Sequence, residues 1–551
     1  MSIRTLLKRL IAVGLLCIAP LTMLGSTVWA GPMDVDGEDD DYEIGQVVVR
    51  LNPDAGDTIA AINATYGTIT IGGSPYSAGI YLLQLPPETN PKRMAQRMRR
   101  DARLLHAEPN FLSQVPESGG NSTWAWGGND SAPLLDQYAV NLINLASAHD
   151  ISDGDGAVVA VLDTGVQLDH PALEASLTEA GYDFVDDDPV PEDEFNGLDE
   201  DGDGVVDEAA GHGTHVAGMV HLVAPSARIM PLRVLNSDGL GNVFTIAEAI
   251  LFAAQNGADI INLSLGMSKQ SRLLANVTED VTERGIVVVA AAGNLNTDVE
   301  QYPAAEESVL GVTSVGPTGE KSAFANFGDW IDVAAPGENI YSAFPVSGYA
   351  WLSGTSMAAP FVAGQAALIR SVDPSLSAED VGSLIKTTAQ PLDALNPDYA
   401  GELGAGLIDI GDSLMTIEIR TNQPPACSSA APSVETIWPP NHNLVPVNVL
   451  GIADPDDDLV SIVIDSIRQD EPVGNGKHSP DGGGVGTSTA EVRAERDEDG
   501  NGRVYHIGFT ADDGRGGSCS GEVLVGVPYE QRNGSIPADE GALYDSTGPA
   551  S

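Results

Sequence analysis

Basic residues are scarce in this chain of 551 residues, and long apolar runs are confined to its beginning. Lysine and arginine number 26 against 79 acidic residues, which gives a formal net charge of −53 at pH 7. Such an acidic surface repels polyanions, so we expect no nucleic-acid partner. Beyond about residue 24, no stretch approaches the roughly eighteen consecutive apolar residues that cross a bilayer. We therefore expect no membrane anchor.

Cysteine is also rare, with three residues in all. Cys17 lies in the early apolar run after Leu16, which is too large for the usual lipoprotein cleavage site, so we expect no lipid anchor. Cys427 and Cys519 are the two that remain. In an oxidising compartment we predict that they form a disulfide bond, with two free thiols as the alternative.

The first thirty residues have the pattern of a secretory signal peptide. Basic residues up to Arg9 precede an apolar run from Leu10 to about Leu24, and a small-residue cleavage signal ends at Ala30. We predict that the mature protein is secreted and extracellular. Transit through a periplasm stays open as an alternative.

The chain is longer than one hydrophobic core usually serves, so we expect two or more folded units beside the processed segments. Composition and pattern divide it into seven parts. These are a signal peptide (1–30), an acidic disordered segment (31–43), a small α+β unit (44–116), an α/β domain (117–416), a Pro/Ser-rich linker (417–432), a β-sandwich (433–530) and a flexible tail (531–551).

The α/β domain alternates short apolar strands with helical patterns. Its strand candidates are AVVAVLD, ARIMPLRVL, ADIINLSLG and GIVVVAAAG, and FTIAEAILFAAQNG is one of the helices between them. Because these strands are apolar throughout rather than at alternate positions, we predict a parallel sheet covered by helices on both faces. After the linker, VPVNVLGI, VSIVIDSI, RVYHIGFTA and GEVLVGV are parted by Gly/Asp-rich turns, which favours a β-sandwich. In the same part of the chain, ETIWPPNHNLVPV resembles a segment of the Ig-like modules of bacterial secreted proteins, so we predict an Ig-like β-sandwich.

Three motifs in the α/β domain carry residues suited to nucleophilic catalysis. In VAVLDTGV, Asp163 ends a buried strand, and in GHGTHVAG, His212 stands at a helix start. In SGTSMAAP, Ser356 also stands at a helix start. A serine hydroxyl needs an imidazole to take its proton, and the imidazole needs a carboxylate to fix its tautomer. The three motifs supply these three roles.

The start of a helix is a favourable place for such a serine. Its unpaired N–H groups and partial positive charge face an oxyanion that develops beside Ser356. Pro360 falls in the first turn or just past it, where a missing N–H costs little. In VVVAAAGN, Asn294 follows another strand and is the candidate side-chain donor to the same oxyanion.

With these segments in place, the chain resembles the subtilisin-like serine proteases, the subtilases. DTGV, HGTHVAG, AAAGN and GTSMAAP occur intact and in the family's order over roughly residues 135–415. The resemblance implies a triad of Asp163, His212 and Ser356. It further implies that Asn294 lines the oxyanion hole.

The same resemblance implies a substrate site and an inhibitory segment. Ser264-Leu265-Gly266 would pair with substrate backbone as an added strand, and Ala292 and Gly293 would line the substrate pocket. The unit at 44–116 is similar to a subtilase propeptide, which assists folding and then plugs the cleft as an inhibitor until it is cut away.

Two competing interpretations of these motifs are weaker. DTG also occurs in aspartic proteases, but those need two such loops and a β-rich fold, and one loop is present. An HxxH pair suggests a metal site, but the glutamate of HExxH is missing, so we interpret His215 as a packed structural histidine.

An aspartate-rich loop precedes the histidine motif. Its alternating carboxylates resemble a calcium loop with hard oxygen ligands, although Ala210 stands where an EF-hand requires glutamate. We predict a looser structural calcium site, with a solvated acidic turn as the alternative. The candidate ligands are Asp199, Asp201, Asp203 and Asp207.

Together these patterns predict a secreted, calcium-supported serine endopeptidase that is made as a self-processed zymogen. It would hydrolyse peptide bonds of proteins or peptides through an acyl-enzyme intermediate. We expect a monomer. The competing hypothesis is a catalytically silent, calcium-binding adhesion or scaffold protein whose protease domain serves only for binding.

Overall fold

The computed structural model describes residues 41–117, 123–346, 348–456, 458–473, 478–498, 500–530 and 537–548. The predicted signal peptide lies outside these ranges, and so does most of the predicted acidic segment (31–43). The end of that segment differs from the prediction, because the first strand begins at Tyr42. The Tyr42 side chain is buried and its backbone stands opposite Phe111, which draws these residues into the sheet.

The N-terminal unit is an antiparallel sheet with two helices on one face. A fifth strand of this sheet, Leu240–Asn242, comes from the central domain. Along the first strand, Val47 and Val49 join the core beneath the two helices, whereas Val48 joins a core of the central domain. The elements of this unit are β1 (Tyr42–Leu51), α1 (Ile59–Tyr66), β2 (Ile69–Gly73), β3 (Ile80–Gln84), α2 (Pro91–Met98) and β4 (Leu104–Gln114).

The central domain holds most of the remaining helices and strands. None of the helices in the described part of the chain has the length and apolar character needed to span a membrane. The elements are β5 (Thr123–Gly128), α3 (Ala132–Asp136), α4 (Tyr138–Leu142), α5 (Leu145–His149), β6 (Val158–Asp163), β7 (Tyr182–Asp183), α6 (His212–Val223), β8 (Arg228–Arg233), β9 (Leu240–Asn242), α7 (Val243–Gln255), β10 (Ile260–Leu263), α8 (Arg272–Glu283), β11 (Val287–Ala291), β12 (Leu310–Val315), β13 (Val333–Pro336), β14 (Ile340–Phe344), β15 (Gly348–Ser353), α9 (Thr355–Val372), α10 (Ala378–Thr387) and α11 (Ile410–Thr421).

The main sheet of this domain is parallel, with seven strands in the order β13-β12-β11-β10-β6-β8-β7. Helices α6 and α9 pack in the core on one face, and α7 and α8 pack in the core on the other. Strands covered on both faces need apolar side chains at every position, which is why they are continuously apolar. The predicted parallel α/β fold with helices on both faces is confirmed.

The C-terminal module consists of two four-stranded antiparallel sheets, β16-β17-β20-β19 and β22-β21-β18-β23. Its core includes Val447, Ile464 and Tyr505. Cys427 and Cys519 form the predicted disulfide bond. The strands are β16 (Ala431–Pro432), β17 (Leu444–Leu450), β18 (Ser461–Gln469), β19 (Gly482–Gly483), β20 (Thr489–Arg493), β21 (Gly502–Asp512), β22 (Ser518–Pro528) and β23 (Tyr544–Asp545).

Two segments that we predicted to be irregular carry regular structure. Helix α11 extends into the predicted linker (417–432), and β16 at the other end of that linker pairs with β17. In the predicted tail (531–551), β23 pairs with β18, and the Ser546 N–H donates to the Ile467 carbonyl. Backbone pairing to a neighbouring strand orders β16 and β23, whereas the start of the linker continues a helix.

Candidate active site

The predicted triad residues stand where three elements meet at one edge of the parallel sheet. Asp163 is the last residue of β6, His212 the first of α6 and Ser356 the second of α9. All three side chains are buried. The His212 Nδ1 atom lies 2.7 Å from Asp163 Oδ1, so the carboxylate fixes the orientation of the ring.

Close contact between α6 and the aspartate turn depends on a missing side chain. A Cβ atom at Gly213 would lie 2.1 Å from the Gly165 carbonyl oxygen and 3.1 Å from Asp163 Oδ1. Any larger residue would push the helix away from Asp163. Glycine after His212 therefore permits the short bond between imidazole and carboxylate.

Helix α9 presents Ser356 at its positive end, and a proline inside the helix shapes the turn. Pro360 has no N–H to donate to the carbonyl of Ser356, four residues earlier. The Ser264 hydroxyl replaces that donor and lies 3.0 Å from the same carbonyl oxygen. The serine turn is thereby tied to the end of β10.

A glutamate just after the N-terminal unit reaches the predicted triad. Ser356 Oγ donates to Glu117 Oε2 at 2.7 Å, and His212 Nε2 lies 3.1 Å from the same oxygen. Asn294 Nδ2 donates to the other oxygen, Oε1, at 2.9 Å. One buried carboxylate therefore touches the predicted nucleophile, base and oxyanion donor together.

The amide of Asn294 is held in place by the residue before the serine. Both the N–H and the hydroxyl of Thr355 donate to Asn294 Oδ1, at 3.0 and 2.9 Å. Because the amide oxygen is bound on that side, the NH₂ group must face the active site. This is the arrangement that an oxyanion donor requires.

The electrostatics of His212 are unusual. Burial by itself would lower the pKa of the imidazole, but the carboxylates of Asp163 and Glu117 outweigh it and raise the pKa to about 10. Each of the two ring nitrogens faces one of these carboxylates. With Glu117 in this position the imidazolium is the stable form.

A second buried carboxylate, Asp193, connects the aspartate and histidine motifs. Its Oδ1 accepts from the Thr164 hydroxyl at 3.1 Å and from the Gly211 N–H at 2.8 Å. Its Oδ2 accepts from the N–H of Thr214 at 3.0 Å and from its hydroxyl at 2.6 Å. Burial raises the pKa of Asp193 to about 6. These bonds bracket His212 on both sides and tie it to the residue after Asp163.

The predicted substrate-pairing segment is engaged by the N-terminal unit. Gln114 and Gly266 exchange two backbone hydrogen bonds of 3.1 and 2.9 Å, and the Val115 N–H donates to the Gly239 carbonyl at 3.1 Å. The strand leading to Glu117 therefore runs between two segments of the central domain. Of the predicted residues, Gly266 makes this contact.

The other predicted substrate-binding residues have internal partners. Leu265 is buried in the core, and the Ser264 hydroxyl serves the serine turn. The Ala292 N–H donates to Val312, and the Gly293 N–H donates to Thr355 Oγ1 at 3.0 Å. These groups position Asn294 and the serine turn.

The aspartate-rich loop brings three of its four predicted ligands together. Carboxylate oxygens of Asp199, Asp201 and Asp203 all lie within 4.8 Å of one another. Burial and the neighbouring negative charges raise the pKa of Asp201. Asp207 is not part of the group, because its oxygens accept from the N–H groups of Asn196 and Gly197.

His215 lies one helical turn after His212, and among the described residues it belongs to no cluster of three or more potential metal ligands. Its Nε2 faces the carbonyl oxygens of Ile340 and Ala350 at 3.1 and 3.3 Å. Burial lowers its pKa to about 3, so the ring is neutral. These contacts fit the structural role predicted for it.

Sequence reasoning missed Glu117, Asp193 and Gly239. No motif surrounds them, and each meets the site through contacts with residues far away in the chain. The nearest signal was the position of Glu117, which closely follows the last strand of the N-terminal unit.

Comparisons with known proteins find relatives of the central domain. Residues 154–406 match the profile of the subtilase family, Peptidase_S8. Thermitase from Thermoactinomyces vulgaris is 39% identical over 274 residues, which cover 48% of this chain and 92% of thermitase. Subtilisin BL from Lederbergia lenta is 35% identical over 282 residues, which cover 49% of this chain and 96% of subtilisin BL. A solved protease from Pseudoalteromonas arctica aligns at 31% identity and a TM-score of 0.46, covering 52% of this chain and 99% of that one.

The parallel sheet and these relatives define a class of enzyme, the serine endopeptidases of the subtilisin type. Thermitase and subtilisin BL align over nearly their whole length, at 39% and 35% identity. The chain belongs to the subtilase family, and its substrates are proteins. The aligned part is about half of the chain, so the N-terminal unit and the C-terminal module lie largely outside these matches.

Proposed function

We propose that this chain is a secreted endopeptidase that cuts protein substrates through an acyl-enzyme on Ser356. His212 is the general base, Asp163 orients it and Asn294 stabilises the oxyanion. One observation carries the assignment: the carboxylate of Glu117 contacts Ser356 Oγ, His212 Nε2 and Asn294 Nδ2 together. The three reactive groups therefore face a single point, where a scissile carbonyl would sit.

In the proposed reaction, a substrate carbonyl replaces the Glu117 carboxylate at this point. His212 Nε2 takes the proton of Ser356 as Oγ attacks the carbonyl carbon, and Asp163 stabilises the imidazolium that forms. The developing oxyanion accepts from Asn294 Nδ2 and from unpaired N–H groups at the start of α9. The imidazolium then protonates the leaving amine, and water, activated by His212, releases the acyl group.

A binding site for the substrate backbone lies beside the predicted triad, and we call it the substrate-backbone site. Gly266 on one side and Gly239 on the other hold the segment 114–117, which follows the end of β4, through backbone hydrogen bonds. A substrate strand would use the same backbone groups, which recognise extended peptide irrespective of side chain. This mode of binding supports action on unfolded or looped protein segments.

We further propose that the N-terminal unit is an inhibitory propeptide. Its strand β4 pairs with β9 and continues into the cleft. Glu108 accepts from the N–H groups of Arg272 and Leu273 at the start of α8, and Asn110 accepts from the Phe244 N–H at the start of α7. A unit that caps two helices and fills the cleft supports both folding and inhibition of the central domain.

The test of the proposed function uses the full chain and its Ser356→Ala variant. The wild-type chain, once processed, should react covalently with an organophosphonate and hydrolyse a denatured protein substrate. Ser356→Ala should do neither, and its N-terminal unit should stay attached. N-terminal sequencing of secreted wild-type protein should give a start between about residues 111 and 123. Labelling that persists in Ser356→Ala would rule out this assignment.

Calcium is the proposed ion of the aspartate-rich loop, held by Asp199, Asp201 and Asp203. Their clustered oxygens are hard ligands, and a divalent cation would relieve the repulsion among them. The loop is joined to the cleft, because Glu200 Oε2 accepts from the Ser237 N–H, two residues before Gly239. The ion would therefore stabilise the Gly239 side of the substrate-backbone site.

Removing calcium should lower the Tm of the enzyme. A chelator is expected to shift it by about 5 °C or more, since occupancy at a hundred times Kd stabilises by roughly 2.7 kcal/mol. Differential scanning calorimetry on Ser356→Ala protein avoids self-digestion. Replacing the three aspartates by asparagine should abolish the sensitivity to chelator, whereas Asp207→Asn should leave it. An unchanged Tm in the parent protein would argue for a merely solvated loop.

A further inference from the structure

The Glu117 side chain occupies the active site in place of a peptide carbonyl. It is 7% exposed, and the recorded partners of its two oxygens are Ser356, His212 and Asn294. The backbone that leads to it is fixed by the pairs of Gln114 and Val115 with the cleft walls. The carboxylate of Glu117 is therefore held against the reactive groups by a segment whose backbone is hydrogen-bonded to the central domain.

This arrangement leaves no free lone pair for catalysis on the imidazole. His212 Nδ1 faces Asp163 Oδ1, and Nε2 faces Glu117 Oε2, so one proton lies between Nε2 and the glutamate oxygen. Whichever atom holds that proton, Nε2 cannot accept another from Ser356. The Ser356 hydroxyl in turn donates to Glu117 rather than to the imidazole.

The space that the carboxylate fills is the space that an oxyanion needs. A Cβ atom at Gly354 would lie 1.7 Å from Glu117 Oε1 and 3.1 Å from Asn294 Nδ2. The absent side chain of Gly354 therefore makes room beside the amide donor. While Glu117 Oε1 is there, a scissile carbonyl oxygen cannot enter.

We propose that the Glu117 carboxylate is a built-in inhibitor that keeps the unprocessed enzyme latent by binding Ser356, His212 and Asn294 at once. The proposal rests on the proposed function, because it assigns the regulation of the same site. It differs from blockage by the strand alone. The strand excludes other peptides from the cleft, whereas Glu117 disarms the nucleophile and the base even toward a small reagent.

Small reagents provide the test, because they can react with Ser356 without binding to the substrate-backbone site. The full-length chain, with its N-terminal unit shown intact by mass spectrometry, is treated with an organophosphonate, and the rate of labelling of Ser356 is measured. In Glu117→Gln the labelling should be about ten- to hundredfold faster, which is the effect of losing roughly one charge-assisted hydrogen bond. Faster self-processing of Glu117→Gln than of wild type during expression would support the proposal equally.

Two controls define the outcome. Asp54→Asn, at an exposed carboxylate of the same unit, should label at the wild-type rate. Glu117→Asp keeps the charge on a side chain one methylene shorter, and should label faster than wild type because it cannot reach all three partners. Equal labelling rates in wild type, Glu117→Gln and Glu117→Asp would overturn the proposed inhibition by Glu117 while leaving the protease assignment intact. Failure of every variant to label would instead contradict the proposed function.

A second measurement follows the proton directly. In the Ser356→Ala background, ¹⁵N NMR of the histidine side chains is recorded as a function of pH with glutamate or glutamine at position 117. The groups that face His212 are Asp163 and Glu117, and the neutral His215 is one turn away. With Glu117, the pKa of His212 should lie above neutral, so the ring is charged at pH 7. With glutamine, the pKa of His212 should be lower than it is with Glu117. An identical titration of His212 in both proteins would contradict the proposed inhibition by Glu117, even if a variant folded poorly.

Discussion

At the scale of single residues, Asp193 has an influence that its position in the chain does not suggest. It accepts four hydrogen bonds from three residues, one next to Asp163 and two that bracket His212. The Thr164 hydroxyl that donates to it also accepts from the Gly213 N–H at 2.9 Å. Because rigid support of this kind holds imidazole and carboxylate in register, we regard Asp193 as a positioning residue.

Replacing Asp193 by asparagine should slow the chemistry more than it weakens substrate binding. The amide offers NH₂ where two donors now point, so at least one of the four bonds is replaced by repulsion. We expect kcat to fall about 10- to 100-fold, as small misplacements of reacting groups do, with KM nearly unchanged. The measurement is steady-state kinetics of the processed enzyme, together with organophosphonate labelling of Ser356.

The exposed Asp155→Asn variant is the matched control and should behave as wild type. A purely structural role for Asp193 would show differently. The Tm would fall, but the protein that remains folded would label at the wild-type rate. That result would remove Asp193 from the group of positioning residues.

The residues that the sequence predicted and those that it missed differ in a physical way. Asp163, His212 and Ser356 are recognisable because each stands in a local turn that needs particular neighbours, such as Gly213 or Gly354, to bring backbones close. Glu117 and Asp193 have no such local requirement. Their partners lie on other elements, and only the folded chain brings them together.

At the scale of elements, continuous apolar runs predicted the parallel sheet because burial on both faces leaves a clear pattern. Very short strands leave no such pattern in the sequence. Strand β9 has three residues, Leu240–Asn242, yet it joins the N-terminal sheet to the central domain. Strand β23 has two, and it orders part of the predicted tail. Pairing of such short strands depends on backbone groups that the neighbour already offers, so the sequence of the strand itself carries little information.

Helix ends carry a local signal in the sequence where the capping side chain lies in the same segment. Ser377 and Asp380 form a reciprocal capping box at the start of α10. The start of α8 is different, because Glu108 from the N-terminal unit adds to the cap of Ser271, bonding both its hydroxyl and the helix N–H groups. Long-range capping of this kind links the stability of the central domain to a unit that we propose is later removed.

At the scale of the whole molecule, the C-terminal module has its own core, separate from the two cores of the central domain. The disulfide bond joins the segment before β16 to β22 within this module, across 92 residues. A covalent link of this length removes much of the freedom of the unfolded module. It does not cross the interior of the central domain, so its effect should stay local.

Breaking this disulfide should therefore destabilise the C-terminal module and leave the protease nearly unaffected. We expect Cys427→Ser with Cys519→Ser to lower the free energy of unfolding of the module by about 2–4 kcal/mol, which is typical of such a bond. Calorimetry of the Ser356→Ala protein should then show one transition shifted down by roughly 10 °C and another in place. Activity of the double cysteine variant with Ser356 intact is the control and should equal that of wild type. A single transition that shifts as a whole, or a loss of activity, would mean that the module and the catalytic domain unfold as one cooperative unit despite their separate cores.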